Sequence, residues 1–190
     1  GAGGRPDTRG KAMKRRIIAA LFVAIGFTVA VAGSHAEGAM ETTYNITPDG
    51  VAIGGWDTVA YFTQDRAVEG SSEFSHDWEG ATWLFTSQEN LDLFIGDPEA
   101  YAPQFGGWCA YALSTGEYAA EVDPGEAWTV HEGQLFLNWS DRVREQWLRY
   151  NVDHGIAVGR DNWTEVIPQI QDGSVQFSRK AESPWNQVSN

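Results

Sequence analysis

Twice in this chain an alternating run breaks at Glu-Gly and then resumes: "EFSHDWEGATWLF" over 73–85 and "AWTVHEGQLFLNW" over 127–139. A two-residue turn flanked by alternation predicts a β-hairpin. In the first, Trp78 faces Ala81, His76 faces Trp83 and Phe74 faces Phe85. One face then carries Phe74, His76, Trp78, Trp83 and Phe85, and the other Ser75, Asp77, Thr82 and Leu84. The aromatic face must be the buried one. The second hairpin sets Trp128, Val130, Leu135 and Leu137 against Thr129, His131, Gln134 and Phe136.

Helical signals fill the space around the hairpins. Thr86 and Glu89 have capping-box spacing, and Leu91, Phe94 and Ile95 recur at helical intervals before Gly96 and Asp97-Pro98. "PEAY" adds a turn. Ser140 caps a helix with Val143, Trp147 and Leu148 on its stripe, ending near Gly155 and His154, where a cation suits the helix dipole. A last short helix over 161–170 meets Pro168. "VAIGGWDTVAYF" reads as two short strands broken by Gly54-Gly55. "PQFGGWCAYALSTG" reads equally as a short helix between Gly107 and Gly116 or as a buried strand. The fold class is α+β: a single small domain over 51–170 whose two hairpins form an antiparallel sheet packed against a few helices. Residues 37–50 form a polar arm and 171–190 a loose polar tail.

The N-terminal segment sets the compartment. Met13 is followed by Lys14, Arg15 and Arg16, an apolar run and Ser34-His35-Ala36, the order of a secretory signal cleaved after Ala36. The run is slightly short for a membrane span, which needs about 20 apolar residues. Residues 1–12 contain no Met and read as an upstream extension. The expected protein is periplasmic or secreted, with no membrane span after cleavage.

Charge narrows the partners. The whole chain carries −13, but six of its thirteen Lys and Arg and one of its twenty-six Asp and Glu precede residue 37, leaving −18 over 37–190. Such a surface argues against nucleic acid and anionic membranes, and it suits cations, basic partners or plain solubility. All nine Trp fall after residue 36, the mark of an aromatic core. With Cys109 as the only cysteine, no internal disulfide forms. Its small and aromatic surroundings suggest a shielded thiol and a monomer.

The blocks "GVAIGGWDTVAYF", "EFSHDWEGATWLFTSQENLDLFIGDPEAYAPQFGGWCAYA" and "EGQLFLNWS" resemble the YHS-domain family in its secreted, single-domain form, over most of 51–165. The resemblance implies a heavy-metal-binding module. Two departures bear on that. Metal-binding members resemble Asp-Pro-Val-Cys where this chain has Asp57-Thr58-Val59-Ala60, and Tyr-Phe-Cys where it has Leu84-Phe85-Thr86. Alanine supplies no donor, and a neutral threonine hydroxyl is a poor one for soft metals.

Cys109 lies in the Gly-Gly-aromatic-Cys-Ala block typical of the secreted branch. Soft-metal sites need thiolate and imidazole donors from several segments. The candidate set for copper or zinc is Cys109 with His76 and Asp57. Each has a structural alternative: a buried small residue for Cys109, a hydrogen-bonded core imidazole for His76, and an Asx-type turn for Asp57. His131 sits beside a turn and reads as exposed. If the Cys109 segment is helical, the thiol meets first-turn N–H groups, and the paired glycines permit close approach of another backbone or a ligand.

Three readings follow. The first is a non-enzymatic metal-binding module. The second is a metal-free accessory module that takes a small ligand or protein partner in a Trp-lined cleft. The third, an enzyme with Cys109 as nucleophile and His76 as base, has the least support.

Overall fold

The computed structural model describes residues 1–3, 42–116, 118–149 and 151–178, so the expected leader over 13–36 and residues 179–190 lie outside the described residues. Gly1–Ser34 and His35–Asn190 are two separate units, and every element below belongs to the second.

The two strands expected over 51–62 are replaced by a 3-10 turn at Ile53–Gly55 and a helix, α1 (Ala60–Thr63). Only isolated bridges, Ala52 to Ile46, Val51 to Thr82 and Trp56 to Glu69, retain strand character. Asp57 is the reason. Its Oδ1 accepts the N–H groups of Val59 at 2.9 Å and Ala60 at 3.2 Å, an Asx turn that starts a helix where alternation suggested extension.

The first hairpin forms from β1 (Ser71–Trp78) and β2 (Ala81–Phe85). Glu79 and Gly80 both take positive φ, 49° and 73°, as a type I′ turn requires. His76 pairs with Trp83 and Trp78 with Ala81, as expected. A bulge between Ser71 and Ser75 then sets Phe85 opposite Ser71 rather than Phe74. The faces survive: Trp83 and Phe85 are buried, Phe74, His76 and Trp78 half-buried, and Ser75 and Asp77 exposed.

α2 (Gln88–Gly96) follows, capped by Ser87 rather than Thr86, because the Thr86 hydroxyl is committed to Asp57. The helix buries Asn90, Leu91 and Phe94, while Ile95 points to solvent at 49 % exposure. Asp97 caps α3 (Pro98–Tyr101). After a 3-10 turn at Gln104–Gly107, the ambiguous segment resolves as α4 (Ala110–Thr115), with Cys109 in the N-cap position and Gly116 closing it.

A two-residue strand, β3 (Ala119–Ala120), precedes the second hairpin of β4 (Trp128–His131) and β5 (Gln134–Leu137). Its register is the expected one throughout, and Glu132 and Gly133 repeat the positive-φ turn. The two hairpins remain separate two-stranded sheets, not the single antiparallel sheet expected.

Ser140 accepts the Val143 N–H and starts α5 (Asp141–Arg149), which stops well short of Gly155. Asn151 then caps α6 (Val152–Asp172), a helix of 21 residues that takes Pro168 inside and supersedes the short 161–170 element. His154 therefore lies in a first turn, not at a helix C-terminus. The segment expected to be loose after 171 is docked as far as it is described. Val175 is buried, and β6 (Phe177–Ser178) pairs in parallel with β3. The α+β class stands.

Two apolar clusters share β5. Trp83, Phe85, Phe94 and Tyr61 belong to the first, which α2 closes over the first hairpin. Phe105, Trp108, Leu113, Trp147 and Ile170 belong to the second, where α4 packs along α6. Leu135 and Leu137 join the first and Phe136 the second, all three at 0 % exposure.

The described part of the arm, residues 42–50, packs on the domain. Thr42 and Asn45 are buried, the Asn45 N–H donates to the Gly106 carbonyl at 2.8 Å, and the Trp108 indole donates to the Thr43 carbonyl at 3.0 Å. Gly106 has φ +59, and a Cβ there would fall on the Thr43 carbonyl oxygen. Gly106 thus admits a neighbouring stretch of backbone, while a Cβ on Gly107 would meet the Ile53 side chain.

Candidate functional site

The three expected donors occupy three different environments. Asp57 is fully buried and accepts five hydrogen bonds. Beyond the Asx turn, its Oδ2 takes the Thr86 N–H at 2.8 Å, the Thr86 hydroxyl at 2.7 Å and the Asn90 amide at 2.7 Å. A carboxylate is acceptor-only with about four lone-pair sites, so these donors saturate it. Asp57 also draws together residues 60 and 86, accepting from the Ala60 N–H and from both the N–H and the hydroxyl of Thr86. Its geometry is that of a turn-former that also tethers the start of α2.

His76 lies half-buried on β1, its ring edge-on to Phe94 with centroids 6.4 Å apart. Cys109 is buried at 2 % exposure, its backbone bridging Leu137 and its Sγ donating to Asn138 Oδ1 at 3.7 Å. The same Asn138 oxygen accepts the Tyr111 N–H at 3.0 Å, so a side chain from the end of the second hairpin caps α4 in place of Cys109. Among the described residues no group of three His, Cys, Asp or Glu side chains is placed to hold a metal ion. Cys109, His76 and Asp57 are thus not brought together as one group in this structure. His131 is partly exposed and contacts Asp153 at 2.9 Å, a surface pair linking the second hairpin to α6.

Burial and the Asn138 contact give an expected outcome for the thiol. A bulky thiol reagent should label Cys109 slowly in the native protein and rapidly in denaturant, with no covalent dimer on a non-reducing gel. Fast native labelling would contradict the buried placement.

A groove of 630 Å³ lies among the described residues, and no single motif announced it. Tyr44, Trp78, Phe105 and Trp163 supply its aromatic surface, and Glu79, Glu99 and Arg160 its charges. These residues come from the arm, the first hairpin turn, α3, the Gly-Gly segment and α6. Sequence spacing carried no sign of their meeting, beyond the excess of Trp.

Tyr44 packs against Trp78 and Trp83, with centroids 5.4 and 5.0 Å away. Burial, and then the carboxylates of Glu79 and Glu99, push its phenol up to about 12. A raised phenol means the folded chain holds its proton where the unfolded chain has lost it. The stabilisation is full below pH 10.0 and is lost as pH rises towards about 12. Alkaline titration of stability should show that decline, and Tyr44→Phe should reduce it; an unchanged profile would remove Tyr44 from this environment.

No family model, curated protein or solved structure matches the chain. Among the described residues, no helix is long and apolar enough to cross a membrane.

Proposed function

We propose that the chain is an exported, non-enzymatic module of YHS-like type that binds a small ligand, without a metal, in the groove between Trp78 and Trp163. The carrying observation is the groove itself, whose 630 Å³ lies within the usual range for small-molecule sites and whose lining mixes aromatic faces with a few charges. The signal-like segment before residue 37 supports export, and the ordered blocks over 51–165 support the YHS-like build. Burial of Cys109, the only thiol nucleophile, weighs against an enzyme.

The test is a thermal-shift screen of the protein against small molecules, followed by spectra of its indole N–H groups. Hits should move the Trp78 and Trp163 signals and bind at least tenfold more weakly to Trp163→Ala. Hits that map elsewhere would refute the site. Stoichiometric Cu(I) or zinc binding that Cys109→Ala abolishes would refute the metal-free reading.

A further inference from the structure

Resting on the groove as the binding site, we infer that its ligand is a small zwitterion. The ammonium end sits between Glu79 and Glu99 on the faces of Tyr44 and Trp78, and the carboxylate end meets Arg160 beside Trp163.

The charges are arranged in two groups. Glu79 stands in the first hairpin turn and Glu99 in α3, yet both line the groove together with the packed pair Tyr44 and Trp78. Neither makes a hydrogen bond or ion pair among the described residues. Two unneutralised carboxylates beside half-buried aromatic rings suit an organic cation, which gains from charge and ring quadrupole together. Arg160 comes from α6, three residues before Trp163, and therefore on the same face of that helix. Its Nη2 donates to Gln134 Oε1 at 3.0 Å, which leaves most of its five N–H donors for a ligand.

The opposite charges line one groove without pairing with each other: no salt bridge joins Arg160 to either glutamate among the described residues. This decides the ligand class. A polyanion would be repelled by Glu79 and Glu99, and a simple cation would leave Arg160 without an anionic partner. A molecule with both charges and an apolar body between them satisfies every group, and the chemistry is that of a short peptide with free ends. A bidentate guanidinium–carboxylate contact supplies orientation as well as attraction.

Alanyl-phenylalanine and its N-acetyl, C-amide and doubly blocked forms are the probes, with calorimetry for affinity and the Trp78 and Trp163 indole signals for location. The free dipeptide should bind at least tenfold more tightly than either singly blocked form. Glu99→Gln should erase the preference for the free amine alone, and Arg160→Met the preference for the free carboxylate alone. Both side chains are exposed, so neither variant removes core packing. Equal binding of all four compounds in the groove would overturn the zwitterion while leaving the groove as the site. Absence of dipeptide binding, with screened hits of a single charge sign moving the same indole signals, would overturn it equally. Hits that leave both indole signals unmoved would overturn the groove reading itself, a distinct result.

Discussion

Asp57→Ala should lower the stability of the domain by about 3–5 kcal/mol, among the largest effects of any single substitution here. Five donors converge on this one carboxylate at 0 % exposure, and truncation strands the Thr86 N–H, the Asn90 amide and the start of α1 together. A hydrogen bond to a charged group contributes about 1.5–3 kcal/mol, and an unsatisfied buried donor costs a similar amount. The terms overlap, so the total is less than their sum. Asp57→Asn keeps the shape but turns an amide NH₂ toward donors, and it should recover only part of the loss. Thr86→Val, which removes one hydroxyl from the hub, should cost about 1–2 kcal/mol. Urea unfolding midpoints measure all three. A loss under about 1 kcal/mol for Asp57→Ala would show that the hub is dispensable.

Phe94→Ala should cost a comparable 3–5 kcal/mol, roughly the range for deleting a buried aromatic ring. Its ring, at 0 % exposure, lies 4.9 Å from Phe85, 5.0 Å from Trp83 and 5.6 Å from Trp78. It is the side chain through which α2 grips the aromatic face of the first hairpin. Losing it opens a cavity and deprives three rings of their neighbour, so near-ultraviolet circular dichroism should weaken along with the melting temperature. Phe94→Leu refills much of the volume and should recover about half of the loss. Retention of both stability and the aromatic signal in Phe94→Ala would refute this packing.

The elements that could be read from the chain are those encoded locally. Both hairpins formed at the expected Glu-Gly turns, because alternation and a two-residue turn fix the register within a dozen residues. The misreadings arose where a side chain reached a distant partner. Asp57 turned an alternating segment into α1, and Thr86 left its capping role to Ser87 because Asp57 engages its hydroxyl. Asn151 starts a new helix where the apolar pattern ran on toward Gly155, so one expected helix became α5 and the beginning of α6. Residue types marked Cys109, His76 and Asp57 as candidate donors, and their spacing carried no sign that Asn138, Phe94 and Thr86 are their respective neighbours. Groove residues as far apart as Tyr44 and Trp163 meet only through the tertiary fold.

The strand β5 carries a consequence for how the domain opens. With Leu135 and Leu137 turned into one cluster and Phe136 into the other, neither side of the strand meets water. Exposing either cluster means peeling away the surface that seals its neighbour, so partial unfolding of one half gives the other no stable form to rest in. The two clusters therefore act as a single cooperative unit, and β5 amide protons exchange with solvent only through global opening, last among those of the domain.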